Sequence, residues 1–129
     1  MKDFDKEIST AVTIAPAANR TADTNGTGVD LSNFRSAVAL VQFGTVTDGT
    51  WTPKLEESDN NSSWNDVAAA DLSGSFTATT SANDETVQEV AYLGQKRYLR
   101  VSVIETVAST TGALFSALIV RGDPITKPA

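Results

Sequence analysis

The run EESDNNSSWND, Glu56 to Asp66, sets carboxylates, amides and hydroxyls side by side. Asp59, Asn61 and Ser63 occupy alternate positions, as do the first three side-chain ligands of a calcium hand, where alternate residues point inward. The match then departs from the pattern. Trp64 stands where the turn glycine is required, and Ala70 stands where a bidentate glutamate should close the shell, so the default is a solvated polar loop. Glu56 and Glu57 are adjacent, and in a strand they point to opposite faces, which keeps them from flanking one glycosidic bond as a carboxylate pair. The chain has no histidine and no cysteine. Both absences count against catalysis by the usual neutral-pH base, against thiolate metal sites and against disulfides. The expectation is a protein that is not an enzyme, with no catalytic, cofactor or metal residues.

Contact chemistry is better represented. Trp51 and Trp64 offer indoles for a core, for a subunit interface or for stacking on sugar rings; one is expected to seal the core and the other to lie near a contact surface. QKRYLR, Gln95 to Arg100, concentrates Lys96, Arg97 and Arg100 around one strand start. Tyr98 and Arg100 share a face there, as a docking pair for an acidic neighbour or as an exposed face balancing acids on an adjacent strand. The candidate contact residues are therefore Trp51, Trp64, Lys96, Arg97, Tyr98 and Arg100. The tripeptide Arg121-Gly122-Asp123 matches an integrin-ligand motif, but three residues recur by chance and Pro124 stiffens the chain just beyond it. The NRT, NGT, NNS and NSS sequons have no secretion signal to give them glycosylation chemistry.

A net charge of −6 on 129 residues argues against binding a phosphate backbone. MKDFDKEIST mixes acids with bases and lacks the apolar core of a signal peptide, and no stretch approaches a membrane span. The expected partners therefore include neither nucleic acid nor membrane, and synthesis in a cytosol-like compartment is expected.

The elements that must position these residues read as strands. AVALVQF, Ala37 to Phe43, is a short Val-rich run, and TDGT after it is a tight reversal. Trp51 to Glu57 alternates, with Pro53 placing it at an edge or a first rung. Trp64 to Ala69 reads as a short strand or a helical turn. SGSFTAT is extended, SANDE turns, and Thr86 to Leu93 is a strand. In RYLRVSV, Leu99, Val101 and Val103 share one face. Leu114 to Val120 is apolar on both faces, which predicts a central strand covered by the core on one side and by a second layer or a neighbouring subunit on the other. VTIAPAANR supplies the first strand. Short strands at roughly ten-residue spacing, without a helical period, predict an all-β single domain, a β-sandwich or jelly roll over residues 11–129, with a short N-terminal arm at residues 1–10.

In order, DLSNFRSAVALVQFG, DGTWTPKLEESDNNSSW, VAAADLSGSF, YLGQKRYLRV and GALFSALIVRGDP resemble small proteins encoded among the head genes of tailed bacteriophages. The likeness spans roughly residues 25 to 124. Within that group the chain is most similar to capsid decoration, or cement, proteins. The resemblance implies a virion component on the outer capsid surface, made in the host bacterial cytoplasm, that binds the major capsid protein and staples adjacent subunits as a homo-oligomer, a dimer or trimer. The alternatives are a carbohydrate-binding module using Trp51 or Trp64, or a tail or connector subunit of the virion.

Overall fold

Alternation of apolar and polar side chains builds the long strands. Ile8–Ile14 forms β1, Phe34–Val46 β4, Thr50–Ser58 β5, Val87–Tyr92 β8, Tyr98–Val107 β9 and Ala113–Pro124 β10. The two-residue strands β2 (Thr24–Asn25), β3 (Val29–Asp30), β6 (Asn65–Asp66) and β7 (Leu72–Ser73) join them. These assignments come from a computed structural model, which describes Phe4 and residues 6–125. Among the described residues the one helical element is a 3-10 turn, Ala69–Asp71. The segment that read equally as strand or helix thus divides into β6 and that turn.

The strands form two antiparallel sheets, one ordered β1-β10-β4-β8-β7 and the other β2-β9-β5-β6, with β3 also on β9. The all-β sandwich expected from the strand pattern is what the chain forms. The first strand begins earlier than VTIAPAANR suggests, because Ile8 to Val12 pairs with β10 from Gly122 back to Leu118 and Pro16 comes after the strand has ended. Ile8–Thr10, the last part of the expected arm, therefore lies inside β1. Residues 1–3 and 5 of that arm, and 126–129 at the other end of the expected domain, lie outside the described residues.

Between the sheets every second side chain is buried. Ala39, Val41 and Phe43 of β4, Trp51 and Leu55 of β5, Leu99, Val101 and Val103 of β9, and Phe115, Ala117 and Ile119 of β10 fill the interior. Phe115 sits at its centre, with ring centroids 5.7 Å from Phe43 and 5.6 Å from Trp51, tilted as aromatic quadrupoles prefer. Trp51 is fully buried and gives its indole N–H to the Asp48 carbonyl at 3.1 Å. This satisfies the indole's polar atom inside the core. Pro53 of β5 faces Val103 of β9, and β6 meets β5 only at Glu56 and Glu57; the missing N–H thus falls in a strand with little pairing on its other edge.

The end of β1 stitches the sheets together. The Thr27 N–H donates to the Thr13 carbonyl at 2.7 Å, the Thr13 hydroxyl to the Thr27 carbonyl at 2.8 Å, and the Val101 N–H to the Thr13 hydroxyl at 3.2 Å. Gly26 passes so close to this knot that a β-carbon there would overlap the Thr13 hydroxyl. In the β9–β10 loop Gly112 adopts φ +91°, and a β-carbon would strike the Arg20 carbonyl. Only glycine combines that conformation with that approach.

Candidate functional site

The two outer faces of the sandwich differ in chemistry. On β9 and β5, Arg100 stands opposite Glu56 and Ser102 opposite Lys54. Glu56 accepts hydrogen bonds from Arg100 Nε at 3.0 Å and from the Ser102 hydroxyl at 2.6 Å. Lys54 Nζ lies 2.9 Å from Asp66 and 3.7 Å from Glu56. Asp66, first in line with Glu56 on its own side, holds the Lys54 ammonium above its ordinary range. Trp64 roofs the pair, its ring centroid 4.4 Å from the Arg100 guanidinium carbon. Stacking on the indole and hydrogen bonding to Glu56 compensate for the desolvation of the guanidinium.

The QKRYLR segment is likewise engaged within the chain. Arg97 makes a two-pronged contact with Asp30, Nε to Oδ1 at 3.1 Å and Nη2 to Oδ2 at 2.9 Å, and lies over the Tyr98 ring. That fork holds the Asp30 carboxyl well below the carboxylate range, against an opposing push from burial and with help from the Ser32 N–H. Lys96 Nζ meets Asp59 at 2.9 Å, which raises the ammonium's pKa. Arg35, Lys96 and Arg97 line an open groove of about 570 Å³ floored in part by Leu31, Phe34 and Tyr92. Each of these cations already faces an aspartate: Asp123, Asp59 and Asp30.

The polar run that opened the sequence is a self-contained turn. The Ser58 hydroxyl accepts the Asn60 and Asn61 N–H groups, and Asn60 Oδ1 accepts those of Ser62 and Ser63. These contacts, with Asp59 drawn to Lys96, tie the would-be calcium ligands into the fold. Among the described residues no group of three or more acids could hold a metal ion. Glu56 and Glu57 do diverge: Glu57 turns inward and accepts the Tyr92 hydroxyl at 2.7 Å, while that hydroxyl accepts the Lys96 N–H at 3.0 Å. Burial first, and Glu57 second, keep the phenol protonated far above its usual range.

One contact assignment needs correction. Trp51, offered as a contact residue, is enclosed by Phe115, and its complete burial removes it from any outer surface and from a sugar platform. Trp64 is half-buried with a guanidinium on its ring. The Arg-Gly-Asp tripeptide is not a displayed loop. Arg121 belongs to β10, donates to the Asp30 carbonyl and the Ser9 hydroxyl, and lies over Phe34.

The outer face of the β1-β10-β4-β8-β7 sheet is apolar and, among the described residues, uncovered. Val12, Leu118 and Leu40 stand opposite one another across β1, β10 and β4, and Thr10, Val120, Val38 and Ala91 form the next row. Val12 is 52% exposed, Val87 56%, Leu114 37% and Leu118 36%. Leu40, Gln42, Val87, Ser116 and Leu118 border a shallow hollow of about 110 Å³. Glu89, opposite Leu40, is the single ionisable side chain in these rows. The two-sided apolarity of Leu114 to Val120 signalled this face; its extension onto β1 and β8 depended on register and was not visible in one strand.

A second feature escaped the sequence reading. The Asp48 carboxylate accepts the N–H groups of Thr110 at 2.8 Å, Thr111 at 3.1 Å and Gly112 at 2.6 Å, fastening the β4–β5 turn to the β9–β10 loop. The Gly112 bond first, then that of Thr110, lowers its pKa. Asp-Gly predicts the turn, but nothing in it predicts a partner more than sixty residues away.

No family model matches the chain, and no curated protein matches it. Among solved structures it is similar to "Crystal structure of PBSX exported protein XepA", with a TM-score of 0.58 and 17% identity over 94% of this chain and 39% of that one. The chain thus spans well under half the length of that neighbour, and the likeness is one of fold. Among the described residues no helix is long and apolar enough to cross a membrane.

Proposed function

We propose that this protein is a structural component of a phage virion, a capsid decoration protein that binds the outer capsid and bridges adjacent major capsid subunits. The observation that carries this reading is the bare, nearly uncharged face of the β1-β10-β4-β8-β7 sheet, set against an opposite face whose charges are already paired. Apolar surface of that kind on a small acidic domain is stabilised by being covered. Fold similarity to a PBSX protein, and the ordered segments resembling phage head proteins, support a phage context.

One small footprint binds weakly. A homo-oligomer engages several capsid subunits at once, and effective concentration then turns modest contacts into firm attachment. A bridge that fits the expanded lattice better than the unexpanded one stabilises the expanded shell by that difference in affinity. The test is particle occupancy: purified protein added to undecorated heads, with bound copies counted by gel densitometry and located by electron cryomicroscopy. Wild type is expected to saturate the outer surface, and Val87→Lys to bind at least ~10-fold more weakly, since a charge placed in an apolar contact must be desolvated. Absence of the protein from the outer surface, or equal binding by Val87→Lys, contradicts the reading.

A further inference from the structure

We propose that two copies of this chain join along β1, in antiparallel register about Thr10, to make one continuous sheet. Backbone donors and acceptors at a sheet edge are left without partners unless something covers them, and long uncovered edges are templates for another strand. The other edges of this sandwich are short or covered. On the second sheet β2, β3 and β6 are two residues each. On the first sheet, β7 covers the end of β8, and the Gln88 side chain ties the Thr77 backbone alongside the rest at 2.8 and 3.0 Å. Strand β1 is different. It pairs with β10 on one side, and among the described residues no strand lies against Ile8–Val12 on the other.

The edge dictates its occupant's backbone, an extended strand, and the side chains favour a second copy. Ile8–Ile14, ISTAVTI, contains no charge in a chain of net charge −6, so like-charged copies meet along a segment that does not repel. Pairing about Thr10 sets Ile8 against the partner's Val12, Ser9 against the partner's Ala11 and Thr10 against the partner's Thr10. These are β-branched pairs, a small pair and a hydroxyl pair, each of a kind that stabilises cross-strand contacts. The arrangement is isologous and closes at two copies.

The two-fold axis runs perpendicular to the sheet, so both apolar faces point the same way. Five strands per copy at ~4.8 Å spacing become ten, roughly 48 Å across, and the Thr10–Val120–Val38–Ala91 row continues through the junction into its counterpart, while Val12 meets the partner's Ile8. Such a dimer doubles the surface proposed to meet the capsid. It does not depend on that capsid role, and the two fail separately: a monomer that decorates heads removes the pairing alone, and a dimer that leaves heads bare removes the capsid role alone.

The experiment is sedimentation of the full chain over a wide concentration range, with Thr10→Glu and Thr10→Lys as variants. Thr10 is exposed, and a single cooperative melting transition in each of the three proteins confirms that each is folded, the dimeric wild type melting highest. Wild type is expected as a dimer. Each variant alone sets like charges face to face on the axis and raises the dimer dissociation constant by ~10-fold or more. An equimolar mixture of the two re-forms a dimer, now a mixed one. Wild type that stays monomeric or forms trimers, Thr10→Glu that keeps the wild-type affinity, or variants that fail to combine when mixed would each overturn the pairing.

Discussion

Arg100, Glu56 and Asp48 show how single side chains fix the loops of this sandwich. Arg100 and Glu56 are 17% and 10% exposed, so removing Arg100 leaves Glu56 largely desolvated, with the Ser102 hydroxyl at 2.6 Å and the more distant Lys54 ammonium in place of its guanidinium partner. Arg100→Leu is expected to cost roughly 2–4 kcal/mol in urea unfolding, discounted from a fully buried pair for residual exposure. Adding Glu56→Gln should recover part of that loss, and additive effects in the double-mutant cycle would contradict the pairing. Asp48 gives a pH signature. Its folded pKa lies below the ordinary 3.8, so its contribution is complete above that value and is lost as pH falls through the folded pKa. Asp30 acts with the same sign. Melting temperatures from pH 6 down to 2 should fall below about pH 4, and Asp48→Asn should flatten that fall; an unchanged slope in the variant would remove Asp48 as a cause.

At the scale of strands, the glycine at 112 and the apolar rows make opposite predictions. Gly112→Ala forces a β-carbon into the Arg20 carbonyl at positive φ, and a loss of more than about 1 kcal/mol is expected in thermal or urea unfolding. Val87→Lys alters an exposed position on β8, and its melting temperature should stay within a few degrees of wild type while attachment weakens. Much of this layer is legible in the sequence. Trp51 to Glu57 and Tyr98 to Val103 announce themselves by a two-residue period that burial in a sandwich imposes, and Leu114 to Val120 by an apolar run on both faces. What periodicity does not carry is pairing across distance. Asp48 finds its amides in a loop remote in sequence, Trp64 finds Arg100 through the turn around Ser58, and Val12 joins Leu118 and Leu40 only because β1 lies beside β10. Ile8 to Thr10 read as an arm because Lys, Asp and Glu precede them, although the alternation that makes them a strand edge starts at Ile8.

As a whole, the molecule is a two-faced slab. One face is closed by ion pairs and the Trp64 roof, the other exposes Val12, Val87, Leu114 and Leu118, and along the side runs β1, whose outer edge no strand covers among the described residues. The proposed roles divide the same way: a capsid subunit for the apolar face and a second copy for the β1 edge, while the paired charges hold loops in place. Lys96, Arg97, Tyr98 and Arg100 then serve chiefly within the chain, so Arg100→Glu should lower stability at least as much as it lowers attachment, as parallel melting and binding titrations would show. The central claim is tested most directly by electron cryomicroscopy of phage heads assembled with and without this protein. The account predicts added density on the outer surface across capsomer boundaries, with the Val12–Leu118–Leu40 face against the shell. Identical density in the two samples, or density confined to the tail, would contradict it.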